Sequence, residues 1–317
     1  MKWDMHCDVL SKFLMDMDER ISFHDGRDLD VTYERLCAGG VRFQAFAIYI
    51  PEAWQGKPYD AVLKSVDLFR RKVLSHPGMT VIETKEDLAN LEQPGDPKIG
   101  AMLTLEGADG LEGQLLYLRI AFELGVRTVG VTWNRANWAA DGAGEPREGG
   151  FTAKGSEFIE ECERLGLTID VSHLSEKGFW ELAEKSKRPF IASHSNMKAL
   201  CNHRRNLTDE QAKELIRCDG MIGLTFVPFF LRNDGKQANI SDILRHVERV
   251  CELGGERNVG FGSDFDGISE WVYGLEHPGL YRNIENDLLK RYSIAQVEAF
   301  LGRNWKRFYE KALPPSK

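Results

Sequence analysis

The chain has 317 residues, of which 42% are hydrophobic and 10% aromatic, enough for a large core. That length exceeds the usual domain of about 100–200 residues, yet α/β barrels of about 250 residues or more fold as one unit. A formal net charge of −8 argues against a sequence-independent grip on phosphate backbones, and the basic knot "HRR" at 203–205 is too short to supply one, so small cationic or zwitterionic substrates fit better than nucleic acid.

In chain order, the apolar, β-rich runs are "MKWDMHCDVL" (1–10), "VRFQAFAIYI" (41–50), "KIGAMLTLEG" (98–107), "VRTVGVTW" (126–133), "LTIDVSH" (167–173), "PFIASHS" (189–195), "MIGLTFV" (221–227) and "NVGFGSDF" (258–265). Most are continuously hydrophobic, the mark of strands buried on both faces as in a parallel sheet. Between them lie stretches with apolar residues at i, i+3 and i+4, at 61–74, 113–125, 155–166, 176–186 and 240–254, several ending in Gly. Strand then helix, repeated eight times, predicts an α/β fold of the (β/α)8 TIM barrel type. A doubly wound open sheet uses the same alternation, but no G-x-G-x-x-G follows the first strand.

The segment 292–313 reads as a final helix pair, with "SIAQ" as its N-cap signal, packed on the barrel. No linker or repeat interrupts the chain, so residues 1–317 are expected to form one barrel domain. No apolar run reaches the 18 or so residues of a membrane span, and no N-terminal segment reads as a signal peptide; a cytoplasmic protein without a membrane partner is expected. The six cysteines lack CxxC spacing and are expected to be reduced thiols.

The first strand carries His6 and Asp8 two residues apart, on one face if the strand persists. Alone, such a pair is more often a histidine hydrogen-bonded to a neighbouring acid. But Glu106, His173, His194 and Asp264 each stand where another apolar run gives way to a Gly- or Ser-containing loop, and barrel active sites are built from those strand ends. Three imidazoles and three carboxylates in one dry mouth would repel or stay unpartnered, and a divalent cation resolves both problems. Imidazole with carboxylate and no thiolate suits Zn²⁺ foremost, with Mn²⁺, Fe²⁺ or Co²⁺ able to use the same donors. His24, His76, His203, His246 and His277 lie outside this pattern and are given no metal role. Asp266, before Gly267, reads as a loop-capping carboxylate.

The set "HCD", "LEG", "DVSHLS", "SHSN…CNHRRN" and "GSDFDG", with "LGRNWKRF" near the C-terminus, resembles the membrane dipeptidase (renal dipeptidase) family of dinuclear zinc peptidases, within the metal-dependent, amidohydrolase-like barrels. The likeness implies two divalent ions, one on His6, Asp8 and Glu106 and one on Glu106, His173 and His194, spanned by a hydroxide. It also implies that Asp264 shuttles a proton to the leaving amine, and that Arg205 grips the terminal carboxylate of a small dipeptide. Without the likeness, Arg205 would read as a solvated arginine at a helix start. Relatives of this kind are often homodimers.

Two positions depart from that family's pattern. Trp133 stands where many relatives have a histidine that binds the scissile carbonyl, leaving oxyanion stabilisation to the metals or to Asn134, Arg135 or Asn137. Val227 stands where a tyrosine assisting carboxylate binding is common. The expected activity is therefore a metal-dependent dipeptidase. The alternatives are a related hydrolase of an N-acyl amino acid, lactam or lactone, and a non-catalytic ligand-binding barrel, against which Asp264 argues because pure binding needs no proton carrier.

Overall fold

A computed structural model describes residues 1–91, 97–234 and 236–316. Its strands are β1 (Lys2–Asp4), β2 (Val41–Ile48), β3 (Met79–Val81), β4 (Ile99–Glu106), β5 (Val126–Gly130), β6 (Thr168–Asp170), β7 (Ile191–Ala192), β8 (Met221–Leu224) and β9 (Val259–Phe261). All pair in parallel in the order β1-β2-β4-β5-β6-β7-β8-β9, with β3 attached to β4 beside this path. The first and last strands approach each other: the Met5 amide donates to the Phe261 carbonyl at 3.1 Å, and the Asp264 amide to the His6 carbonyl at 3.2 Å. The result is a nearly closed (β/α)8 barrel, with a strand in every one of the eight expected runs and a ninth, β3, that a three-residue signal did not reveal.

Several strands are much shorter than the runs that contain them. The run at 189–195 keeps only Ile191–Ala192 as strand because a side chain takes over the backbone donors beyond it. Asp170 Oδ1 accepts from the Ser172 amide at 3.0 Å and the Ser193 amide at 2.9 Å. Asp4 does the same at the barrel seam, accepting from the Ser263 amide at 2.8 Å and the His6 amide at 3.3 Å. Such a carboxylate satisfies buried N–H groups while letting the chain leave strand geometry.

The helices start at side-chain caps written in the sequence: Thr152, Ser175, Thr208 and Asn239 each accept a backbone N–H from the first turn. Their apolar faces cover the outside of the barrel, where Leu103, Leu105, Ile169, Ala192, Ile222 and Leu224 join one continuous core. A second cluster lies within and below the barrel: Trp3, Phe43, Met102, Ile191 and Met221 with Trp305, Phe308 and Tyr309. Side chains alternate along β4, so Met102 in that inner cluster shares its face with Thr104 and Glu106.

The C-terminal segment differs from the expected pair. Ile294–Glu298, a π-type turn at Ala299–Arg303 and Asn304–Ala312 follow without a break, and the helix before them is Tyr281–Leu289. Ser293 and Gln296 form the expected cap at its start. Asn304 Nδ2 donates to the carbonyls of Glu256 and Val259 at 2.8 and 2.9 Å, seating Trp305 under the barrel. Glycines clear space for it: a Cβ on Gly260 would lie 2.3 Å from Trp305 Nε1, and one on Gly223 would lie 3.1 Å from Trp305 Cζ2. Trp305 is fully buried. Trp305→Ala should therefore cost about 3–5 kcal/mol, read as a lowered urea midpoint.

Candidate metal centre

At the C-terminal mouth of the barrel, six side chains from the ends of five strands meet. Glu106 ends β4, His194 lies two residues beyond β7, and His173 and Asp264 follow β6 and β9 in left-handed backbone at φ 72° and 71°. Such a conformation costs a non-glycine residue of order 1 kcal/mol and persists only where the surroundings impose it. His6 and Asp8 do not share a strand as their spacing suggested. β1 stops at Asp4, and Asp8 is the cap residue of the helix Val9–Met15. The two still converge, with His6 Nε2 3.4 Å from Asp8 Oδ2, 3.7 Å from Glu106 Oε2 and 3.8 Å from Asp264 Oδ1.

On the other side of Glu106, Oε1 lies 2.9 Å from His173 Nε2 and 3.6 Å from His194 Nε2, and those two nitrogens are 2.9 Å apart. Their second nitrogens decide what they present. His173 Nδ1 faces the Asn134 amide oxygen at 2.9 Å, which can only accept, so Nδ1 carries the proton. The Ser193 hydroxyl donates to Asp170, so His194 Nδ1, 2.7 Å from Ser193 Oγ, donates to it. Both Nε2 atoms are therefore bare lone pairs pointing at each other and at a carboxylate oxygen. His6 Nε2 has no hydrogen-bond partner either. Imidazoles and carboxylates converging in a buried site are the donor set of a divalent cation, and His173 and His194 are each oriented by the partner on the far nitrogen.

The ionisation tendencies express the same crowding. Burial, and after it the positive neighbours His6 and Arg205, holds His173 and His194 well below the ordinary imidazole value, so both are neutral. Burial would also depress His6, but Glu106, Asp8 and Asp264 outweigh it and raise it to about 10. Burial, reinforced by neighbouring carboxylates, pushes Glu106 to about 8 and Asp264 to about 7. Two overlapping groups have donor atoms within 4.8 Å of one another: His6, Glu106 and His194, and His6, Asp8 and Asp264. Asp264 thus stands as close to the ligand set as the residues expected to form it.

The centre forms the floor of a cavity of about 1180 Å³, lined also by Tyr49, Trp133, Asn134, Arg135, Arg204, Arg205, Val227 and Phe230. Arg205 is buried instead of solvated. It donates to the His194 carbonyl at 3.2 Å and Ser195 Oγ at 3.4 Å, and its guanidinium lies 5.6 Å from the Phe230 ring centre. Its Nε has no partner, and burial, only partly offset by Asp264 and Glu106, lowers it to about 10. Trp133 is 40% exposed at the rim, 5.2 Å from the Tyr49 ring. Asn134 has its amide oxygen committed to His173. Of the histidines given no metal role, His203 also lines the cavity, stacked on Phe230, and His246 Nδ1 accepts from the Met197 amide. Asp266 caps a loop as expected, accepting from the Asp30 and Val31 amides at 2.7 and 2.9 Å.

Sequence reading passed over Asp170 and Asp4, the buried acids behind the centre, and Tyr49. For Asp170 the available signal was "IDVSH", a charged residue inside a run buried on both faces; Asp4 repeats the two-residue spacing of His6 and Asp8. Gly267 was also missed as a packing residue. A Cβ there would lie 2.3 Å from Asp8 Oδ2 and 2.6 Å from Asp264 Oδ1.

A sequence model of the membrane dipeptidase family (peptidase family M19) matches residues 2–313. Dipeptidase aclJ of Aspergillus oryzae is 31% identical over 299 residues, covering 90% of this chain and 71% of that protein. Among solved structures, the metallopeptidase dipeptidase AC superposes with a TM-score of 0.91 at 26% identity, covering 98% of each chain. A metallopeptidase from Rhodobacter sphaeroides, solved with a phosphinate mimic of the dipeptide L-Ala-D-Ala, gives a TM-score of 0.88 at 26% identity, covering 98% of this chain and 99% of that one.

Gly267→Ala tests whether the acids must touch. It should lower divalent-metal uptake, measured by elemental analysis after dialysis against a weak chelator, while far-UV circular dichroism stays that of the wild type. Undiminished uptake would remove Asp8 from the centre.

Proposed function

Because the chain belongs to the membrane dipeptidase family, peptidase family M19, we propose that it hydrolyses the single amide of small dipeptides with free amino and carboxyl ends, using two divalent metal ions. Use of a divalent metal comes with the family. His6, Asp8 and Glu106 would hold one ion and Glu106, His173 and His194 the other, and the all-nitrogen-and-oxygen donor set suits zinc. When bound, such a pair supplies an acidified water and a Lewis acid for the scissile carbonyl. The carrying observation is the bare Nε2 pair of His173 and His194 against Glu106, with Arg205 buried at the same cavity.

The chain's own residues divide the remaining work. Arg205, which lines the cavity, takes the substrate's α-carboxylate, for which a planar guanidinium fork is suited. Asp264, its carboxylate 3.8 Å from His6 Nε2 and lining the cavity, would accept a proton from the attacking water and return it to the leaving amine nitrogen. Asn134 holds His173 through its oxygen and has its amide nitrogen left to donate to substrate. Trp133 supplies one indole N–H and no charge, so it orients the substrate without replacing a protonated imidazole. Among the described residues no helix is long and apolar enough to cross a membrane.

Metal analysis of protein purified without chelator should give near two ions per chain, with dipeptide cleavage that falls on stripping and returns with Zn²⁺ or Mn²⁺. Asp264→Asn should lower kcat by about 10²–10⁴ with metal content retained; near-wild-type turnover would remove it as the proton carrier. Acetylating the amino end or amidating the carboxyl end should lower kcat/KM by at least about 100-fold, since buried polar groups would lose their partners. Equal rates on blocked substrates would instead identify a hydrolase of N-acyl amino acids, lactams or lactones, a reading that the wide cavity and the Trp133 rim would then support.

A further inference from the structure

Beside the buried Arg205, two more arginines line the cavity. Arg135 Nη1 donates to the Gly144 carbonyl at 3.1 Å, and Arg204 Nη1 approaches the same oxygen at 3.4 Å. One carbonyl oxygen therefore gathers two guanidinium groups, one from the loop after β5 and one from the loop after β7. Among the described residues neither makes an ion pair with a carboxylate. The segment around Gly144 shows that this is not for lack of acids: Arg147 is paired with Asp141 at 2.5 Å, and Glu145 accepts the Ala136 amide at 3.3 Å. Two like charges on one neutral acceptor repel each other, and an anion between them removes that repulsion.

Their place relative to Arg205 says which anion. Arg135, Arg204 and Arg205 line one cavity, so the unpaired guanidinium pair shares the substrate space with the group assigned to the α-carboxylate, which belongs to the dipeptide's C-terminal residue. Guanidinium forks match carboxylate geometry. Resting on the dipeptidase reading above, we infer that Arg135 and Arg204 form a specificity wall for an acidic side chain, aspartate or glutamate, on the C-terminal residue of the dipeptide. Both side chains are exposed at the rim, so each contact contributes modestly; the two together should give about tenfold discrimination.

The test compares kcat/KM for Ala-Glu and its neutral isostere Ala-Gln, with Ala-Asp, Ala-Asn and Ala-Lys, each with the second residue in both stereochemical forms, on metal-loaded protein. Wild type should favour the acidic member of each pair by about tenfold, and Arg135→Ala/Arg204→Ala should bring the acid-to-amide ratio towards one. Arg135→Glu/Arg204→Glu should invert the order in favour of Ala-Lys. A turnover-independent arm measures binding of free glutamate against glutamine by calorimetry; preference for glutamate should disappear in the double alanine variant. Equal or weaker binding and cleavage of the acidic ligands by wild type overturns the wall. Selective glutamate binding without cleavage of any dipeptide leaves the wall standing and overturns the dipeptidase reading instead.

Discussion

Bare lone pairs and carboxylates meet at one dry point in this protein, and most of the surrounding structure holds them there against their mutual repulsion. His173 and His194 are neutral and turned nitrogen to nitrogen, with Glu106 against both and His6 on its other oxygen. Such an arrangement is costly unless every far-side atom is fixed. Asn134 pins His173, and Ser193, itself held by Asp170, pins His194. Asp4 ties the His6 and Ser263 amides across the barrel seam, and Gly267 lets Asp8 and Asp264 come close. The donor types gathered in this frame suit a divalent cation.

The barrel can carry so polar a mouth because its other end is filled. Trp305, Phe308 and Tyr309 enter from the C-terminal helix and pack on Trp3, Phe43 and Met221. Gly223 and Gly260 provide the clearance. A hydrogen bond of 2.9 Å between Thr128 and the Tyr309 hydroxyl joins this plug to the strands. Apolar burial below and polar convergence above are two ends of the same inward-facing rows: Met102, Thr104 and Glu106 pass from one to the other along β4. Stability and chemistry are thus separated by height in the barrel.

The architecture was legible because buried parallel strands are continuously apolar and the helical stretches between them carry apolar residues at i, i+3 and i+4, with a cap written in the sequence at Ser293. Glu106, His173, His194 and Asp264 were legible for a related reason: an ionisable residue at the end of an apolar run needs a partner. Strand lengths were not, since Asp170 and Asp4 replace ladder hydrogen bonds with side-chain ones, and no local pattern announces that exchange. The geometry of His6 and Asp8 was reached for an incomplete reason. Their two-residue spacing suggested a shared strand face, whereas a strand end and a helix cap bring them together. Arg205 illustrates the limit of composition-based expectation, because an arginine beside a helix start is ordinarily solvated and this one is buried over Phe230.

The substrate end follows a different logic from the centre. The centre holds two of its histidines from behind, His173 by Asn134 and His194 by Ser193, whereas the rim carries two guanidinium groups, of Arg135 and Arg204, that have no carboxylate partner among the described residues and gather on Gly144. A residue whose partner lies within the chain is fixed by folding, and its replacement disturbs the fold or the centre. A residue whose partner lies outside the chain can change with the substrate while the barrel stays as it is. Trp133 and Val227 line the same cavity, outside the candidate ligand set. Chemistry held from within and selectivity left to the rim are what allow one barrel to keep its reaction while its preferred substrate changes.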